Sequence, residues 1–179
     1  MCDVTIIWHS SHLVQTGFMQ QKVSQRLYID QPMREGAFIE LSREQANYLL
    51  NVLRLPDGAA VAVFNGVEGE WRGVVHKTGK RAAQLELEAL IQPQTIATDL
   101  HYLFAPLKRA RLDYMVQKAV ELGVSRLTPV ITQHTNVERV NLERMKANAI
   151  EAAEQCEILT LPEIDEPVKL EPLLTGWEA

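Results

Sequence analysis

Hydrophobic and polar positions alternate in short runs through the first half of the chain. Between residues 26 and 91 these runs have the two-residue period of β-strands, and Gly, Asp and Pro separate them. The runs are RLYID, AFIEL, AAVAVFNG, EWRGVVH and AAQLELEAL. The segment NGVEG, between the third and fourth runs, is typical of a hairpin connection. This pattern predicts a small β-barrel or sandwich.

One segment in this half has a helical period instead. In SREQANYLLNVLR, Ser42 and Gln45 have the spacing of a capping box. An apolar face at helical spacing follows, made of Ala46, Leu49, Leu50 and Leu53. The sequence therefore predicts an α-helix over residues 42–54.

The period changes after residues 92–99, QPQTIATD, whose composition is typical of an interdomain linker. Three elements are then predicted in order: a buried strand at 100–106, a helix at 109–122 and a strand at 125–132. A strand, a helix and a strand at this spacing form a βαβ unit, which implies a parallel sheet. A second helix is predicted over 141–157, with Asn141 as its N-cap.

Composition is that of an ordinary globular protein, with 46% hydrophobic and 23% charged residues among 179. No apolar run approaches the ~18 residues that span a bilayer, so we expect no membrane partner. Residues 1–25 lack a basic start typical of signal peptides, and we expect a flexible leader, with Met19 as an alternative start. Two cysteines make no disulfide framework, which favours the cytoplasm.

The net charge of −5 would seem to disfavour a nucleic-acid partner, but the charge is unevenly distributed. Residues 150–179 contain eight acidic side chains and one lysine, whereas residues 1–149 contain 17 basic and 15 acidic ones. Binding to phosphate depends on local basic patches rather than on the total charge. Composition therefore leaves RNA open as a partner.

The helix predicted at 109–122 has two contrasting faces. Its apolar face is Leu112, Met115, Val116, Ala119, Val120 and Leu122. Its polar face has a row of Asp113, Gln117 and Glu121, flanked by Arg111, Tyr114 and Lys118. This face is either a solvated surface with charge pairs one turn apart, or a basic line that binds phosphate. Lys108 and Arg109 support the second interpretation, because they lie at a strand-to-helix turn, where α/β proteins place ligands.

The run FAPLKRARLDYMVQKAVELGVSRLTPVIT resembles the signature of RsmE-type methyltransferases, SPOUT-class enzymes that methylate N3 of a uridine in small-subunit (16S) ribosomal RNA. The positions that fill the pattern are Lys108, Arg111, Asp113, Tyr114, Gln117, Lys118, Glu121, Gly123, Pro129 and Thr132. The stretches LSREQANYLLNVLRL, VFNGVEGEW and EAAEQC are similar to the same family, in the family's order.

The resemblance implies an α+β or α/β chain in two units. A PUA-like β-barrel that binds RNA would occupy residues 26–91, and the first part of a knotted SPOUT methyltransferase domain would occupy residues 100–179, after the linker at 92–99. The implied cofactor is S-adenosylmethionine. The implied partners are small-subunit ribosomal RNA or the 30S subunit, together with a second copy of the chain in a homodimer.

The resemblance also suggests site residues, but it indicates no catalytic residue. Candidate RNA-binding cations are Arg54, Lys108, Arg111 and Lys118. Candidate residues of a substrate groove are Gln117, Glu121, Glu154 and Gln155. From its spacing alone, the pair Glu151 and Glu154 is more typical of an exposed helix face. Cys2, His9 and His12 lack a fourth ligand, so we predict no metal site.

Some positions depart from the family pattern. Asn47 stands where many members have His, and Ile158 stands where Arg is frequent. After Gly123 the chain has one glycine, Gly176, whereas the family binds its cofactor through later glycine-rich loops. We therefore expect a chain without cofactor-binding residues, truncated before the knot and inactive alone. The alternative is an RNA-binding module without catalysis.

Overall fold

The structure is a computed structural model that describes residues 23, 25–135 and 139–177. Cys2, His9 and His12, with most of the predicted leader, lie outside the described residues. Five strands form the first sheet: β1 (Arg26–Tyr28), β2 (Phe38–Glu40), β3 (Ala60–Phe64), β4 (Glu70–Gly79) and β5 (Ala82–Gln92). Their order is β1-β3-β4-β5-β2, with only the β1–β3 pair parallel. The strands and the β3–β4 hairpin are confirmed, and closure into a barrel stays a prediction.

The predicted helix at 42–54 is only partly confirmed. Ser42 and Gln45 form the capping box, in which the Gln45 N–H donates to Ser42 Oγ at 3.2 Å and the Ser42 N–H donates to Gln45 Oε1 at 3.0 Å. The α-helix α1 ends at Asn47 (Arg43–Asn47), and Tyr48–Val52 is a π-helix. The reason is the hydrogen bonding of the last turn, because the N–H of Leu53 donates to the Tyr48 carbonyl, five residues back.

A second, parallel sheet follows residues 93–100. Its strands are β6 (His101–Phe104), β7 (Arg126–Ile131), β8 (Glu163–Ile164) and β9 (Val168–Lys169). The helices are α2 (Arg109–Glu121), α3 (Leu142–Gln155) and α4 (Leu170–Thr175). Strands β6, β8 and β9 all pair with β7 in the parallel sense, so the predicted βαβ unit is confirmed.

Helices α2 and α3 pack against each other and bury the core of the second sheet. Their buried side chains are Leu112, Val116, Ala119, Val120, Met145, Ala149, Ala152 and Ala153. Leu122 was predicted on this apolar face, but it is 78% exposed. The reason is that the α-helix ends before it: Gly123 follows with φ of +80°, and the N–H of Val124 donates to the Ala119 carbonyl at 3.0 Å.

The first sheet packs against the helices of the second through β1, which contacts α3, and through β3. Phe64, on β3, is fully buried in the core that α2 and α3 form, and Tyr28, on β1, packs against the same core. The first sheet therefore contributes side chains to the second core, and both sheets position the surface around α2 and α3.

Candidate nucleic-acid interface

A cleft of about 950 Å³ lies at the N-terminal ends of α2 and α3. Five cationic side chains and one carboxylate line it: Lys108, Arg109, Arg111, Arg139, Arg144 and Asp113. We call this site the basic cleft. It brings together two of the cations predicted from sequence, Lys108 and Arg111, and adds three others.

Both helices direct their N-terminal ends to the basic cleft. Lys108 is the N-cap of α2, and its side chain makes no capping hydrogen bond. Asn141 is the predicted N-cap of α3, and its Oδ1 accepts from the Arg144 N–H at 3.0 Å. The N-terminal end of a helix carries a partial positive charge, which here adds to the charge of the side chains. The site is therefore suited to an anion.

The one carboxylate of the cleft is neutralised by a neighbour. The Nε of Arg144 donates to Asp113 Oδ1 at 2.9 Å, and its Nη2 donates to Oδ2 at 2.6 Å. The Nδ2 of Asn148 donates to the same Oδ1 at 2.8 Å. The hydrogen bonds from Arg144 lower the pKa of Asp113, so the carboxylate is ionised at neutral pH. Since this pair cancels, the remaining cations give the cleft its positive charge.

Lys118 lies outside the basic cleft. Its Nζ donates to Glu121 Oε2 at 2.6 Å and lies 5.5 Å from the centroid of the Tyr114 ring. The hydrogen bond that Lys118 donates to Glu121 raises the pKa of Lys118. The predicted candidates Lys118 and Glu121 therefore pair with each other, one turn apart on α2.

Gln117 lines a different and smaller site. This groove of about 310 Å³ lies between α2 and α3 and is lined by Ala110, Asp113, Tyr114, Gln117, Asn148, Glu151 and Ala152. We call it the interhelix groove. It shares Ala110 and Asp113 with the basic cleft, so the two sites adjoin.

Glu154 and Gln155 line a third cavity, of about 710 Å³, between α3 and the first sheet. Glu154 is half-buried, and its Oε1 accepts from the Tyr28 N–H at 2.8 Å. Burial raises the pKa of Glu154, while the Tyr28 N–H and Arg26 act in the opposite direction. The exposed helix face expected for Glu154 is therefore wrong, because its carboxylate binds the free edge of β1.

Arg54 stands apart from all three cavities. It follows the π-helix, is exposed and has a φ of +57°. The candidates predicted from sequence are thus divided among five places on the surface.

Sequence reasoning missed Arg139 and Arg144 as residues of the cleft. They lie well beyond the end of α2 at Glu121, and nothing in the pattern of α2 indicates them. One signal could have found Arg144: it lies in the first turn of a helix whose N-cap was recognisable, where an anion site is expected.

Two family models match the chain. The model of an RNA methyltransferase domain matches residues 94–179, and the model of an RNA methyltransferase PUA domain matches residues 41–88. The chain therefore belongs to the RNA methyltransferases that carry a PUA domain, and the resemblance found in its sequence is confirmed.

Two relatives have names that are more specific than the two family models. The chain is 33% identical to ribosomal RNA small subunit methyltransferase E of Rickettsia conorii over 83% of its own length and 62% of the relative's. It is 30% identical to the protein of the same name from Synechocystis, over 74% of this chain and 44% of that relative. The chain thus spans less than two thirds of the length of either relative.

A solved structure has the same fold. The crystal structure of ribosomal RNA small subunit methyltransferase E from Neisseria gonorrhoeae, bound to S-adenosyl methionine, superposes with a TM-score of 0.74. The identity is 24%, and the match covers 87% of this chain and 66% of that one. The mixed α/β architecture with two sheets is therefore that of a known methyltransferase fold.

Within residues 23, 25–135 and 139–177, no helix combines the length and the apolar character needed to cross a membrane. The same residues contain no group of three His, Cys, Asp or Glu side chains placed to hold a metal ion.

Proposed function

We propose that this protein acts in the methylation of small-subunit ribosomal RNA, with S-adenosylmethionine as the methyl donor and N3 of a uridine as the acceptor, and that the residues of this chain alone do not bind the cofactor. The observation that carries the proposal is the basic cleft, five cations at two helix N-termini, in a chain of the RNA methyltransferase family. The relatives named for the small subunit support 16S ribosomal RNA, free or in the 30S subunit, as the substrate.

In this proposal the basic cleft holds the RNA backbone. Lys108, Arg109 and Arg111 are exposed and face the cleft together with Arg139. Contacts from such cations to phosphate fix the position of an RNA strand without reading its sequence. Lys118 and Arg54 would add phosphate contacts outside the cleft. The uridine itself would be single-stranded or turned out of its stack, as sequence-specific RNA recognition usually requires.

Methylation of N3 needs a group that removes the N3 proton or stabilises the ring without it. N3 of uracil is protonated at neutral pH, so a general base or a donor to the uracil oxygens must favour the deprotonated ring. Glu154 has a raised pKa, but its carboxylate accepts the Tyr28 N–H and serves the fold. We assign the catalytic role to no residue of this chain.

The residues after Gly123 do not fit a cradle for S-adenosylmethionine. Close approach of the backbone to a ligand usually requires glycine. Only Gly176 follows, and a Cβ there would make ordinary contact, 3.7 Å from the Pro172 carbonyl oxygen. S-adenosylmethionine supplies the methyl group when bound, and we assign its binding to no side chain in the part of the chain that the structure describes.

We further propose that the two units of the chain have the separate roles that the sequence suggests. Residues 26–91 would form a PUA-like unit that binds RNA, residues 92–99 a linker, and residues 100–179 part of the methyltransferase domain. A cytoplasmic homodimer would be the working form, as the family resemblance implies.

Methyl transfer tests the proposal directly. The protein, expressed from its native reading frame, is incubated with S-adenosylmethionine carrying a labelled methyl group and with small subunits from cells that lack the gene. We expect label in the small-subunit RNA and N3-methyluridine on mass spectrometry of its nucleosides. RNA binding without any transfer would instead support the non-catalytic RNA-binding module.

A further inference from the structure

The interhelix groove adjoins the basic cleft but differs from it in chemistry. Its wall contains one exposed aromatic ring, two side-chain amides and two carboxylates: Tyr114, Gln117, Asn148, Asp113 and Glu151. We propose that this groove binds one unstacked nucleobase of single-stranded RNA, next to a phosphate held in the basic cleft. The inference rests on the proposed function, because it places a base beside the backbone contacts assumed there.

The size and position of the groove fit one base. Its volume of about 310 Å³ lies at the lower end of the ~300–1,000 Å³ typical of small-molecule sites. Ala110 and Asp113 line both the groove and the cleft, so a single nucleotide can reach both with its phosphate and its base. A base-paired strand cannot use the groove, because its bases remain stacked in the duplex.

Tyr114 provides a surface for stacking. The residue is 63% exposed although it lines the groove. The ammonium of Lys118 lies 5.5 Å from the centroid of its ring and is itself held by Glu121. An aromatic ring with a neighbouring cation is a common platform for unstacked bases, because every base presents a π-face.

The polar side chains can meet the edge of the base. Asn148 gives one of its two amide hydrogens to Asp113, which leaves the other and the carbonyl oxygen for a ligand. The half-buried amide of Gln117 has no hydrogen-bond partner within the part of the chain that the structure describes. The carboxylate of Glu151 adds an acceptor for an N–H group of the base. Donors and acceptors therefore lie side by side, as on the edge of a nucleobase.

A pair of matched ligands separates the groove from the cleft. The first is a fluorescent abasic ribose-phosphate oligomer that carries a single uridine, and the second is the same oligomer without any base. Both are titrated at low salt, by fluorescence anisotropy, with the full chain and its variants. Since one stacked base contributes about 1–3 kcal/mol, we expect the wild type to bind the uridine oligomer about 5- to 150-fold more tightly than the abasic one.

Variants of the two sites should then behave differently. Tyr114→Ala should remove most of this preference and leave the affinity for the abasic oligomer unchanged, whereas Tyr114→Phe should keep it. Gln117→Ala should reduce the preference by a smaller factor. The double variant Lys108→Ala, Arg111→Ala should weaken both oligomers equally. Circular dichroism confirms that each variant is folded.

Two results would overturn the inference: a wild type that binds both oligomers equally, or a preference for uridine that survives in Tyr114→Ala and in Gln117→Ala. Failure of the proposed function looks different, since neither oligomer, and no other RNA, would then bind in a salt-dependent manner.

Discussion

The guanidinium of Arg26 lies at the C-terminal end of α3, where its Nη2 donates to the Ile158 carbonyl oxygen at 2.9 Å. Its Nη1 donates to the Ala153 carbonyl, its Nε donates to Glu70, and its Cζ lies 3.8 Å from the centroid of the Phe64 ring. A cation is stabilised at this end of a helix by the partial negative charge of the carbonyl groups. One side chain of β1 therefore joins the first sheet to a helix of the second.

We expect Arg26→Ala to destabilise the protein strongly. The substitution leaves the largely buried carboxylate of Glu70 without its partner and two carbonyl groups without their donor. Removal of one partner from a buried ion pair typically costs about 3–5 kcal/mol. The free energy of unfolding in urea, followed by circular dichroism, measures the loss.

The matched control for Arg26 is Arg72→Ala. Arg72 lies on β4 and pairs with Glu88 at 2.9 Å, but this pair is much more exposed. An exposed pair contributes at most about 1 kcal/mol, so the control should change the unfolding free energy little. Equal losses in the two variants would show that Arg26 does not join the sheets.

Gly69 and Gly36 differ in a way that predicts unequal effects of alanine. Both have positive φ, +80° and +73°, but an added Cβ at Gly69 would lie 2.4 Å from the Gln92 carbonyl oxygen, whereas at Gly36 nothing lies within 4 Å. Gly36→Ala should cost about 1–2 kcal/mol for the backbone conformation alone. Gly69→Ala should cost a further ~1–3 kcal/mol, because the backbone of Gln92 must move.

Urea midpoints of these two variants, measured side by side, provide the comparison. Because the two glycines share the same backbone strain, the difference between them reports the steric clash alone. Similar midpoints would mean that the contact between residue 69 and Gln92 relaxes without cost.

The raised pKa of Glu154 predicts how stability changes with pH. Because burial raises this pKa above its ordinary value of 4.5, the folded state holds the proton more tightly than the unfolded state. The contribution of Glu154 to stability is therefore fully present below pH 4.5, and it is lost as the pH rises through the raised pKa of the folded state. Glu154→Gln keeps an acceptor for the Tyr28 N–H but cannot ionise.

Melting temperatures are measured from about pH 4 to about pH 8, which brackets that range. The melting temperature of the variant should rise relative to that of the wild type as the pH increases, and the difference should then become constant. Glu157→Gln is the control, since this carboxylate lines the same cavity but is exposed. Parallel pH profiles for Glu154→Gln and the wild type would show that Glu154 is not desolvated in the folded protein.

The elements of this fold could be predicted from sequence because their signals are local. The capping box at Ser42, the N-cap at Asn141 and the helix stop at Gly123 each depend on residues a few positions apart. The parallel sheet followed from the order of these elements, since a strand, a helix and a strand at short spacing have few alternative arrangements.

The candidate site was only partly predictable, because its geometry depends on contacts between distant residues. The helical period of α2 separated polar from apolar positions except at Leu122, but it could not show that Asp113 faces Arg144, 31 residues later. The sequence of α3 likewise could not show that Glu154 meets the N–H of Tyr28, because β1 lies 126 residues earlier. The apolar residues of the π-helical turn after Asn47 are spaced as in an α-helix, so their pattern did not distinguish the two kinds of helix.

The basic cleft predicts a specific change in how RNA affinity depends on salt. Removing Lys108 and Arg111 together, by substitution to Ala, should weaken binding equally for all RNA sequences and reduce the slope of log K against log salt concentration by roughly 0.7 for each phosphate that is no longer neutralised. Both residues are exposed and outside the apolar face of α2, so the melting temperature should change little.

The control, Lys80→Ala with Arg81→Ala, removes the same charge from the exposed hairpin between β4 and β5. If both double variants have the same slope, net charge rather than the cleft determines binding; if the melting temperature falls while affinity per folded molecule is unchanged, Lys108 and Arg111 are structural cations.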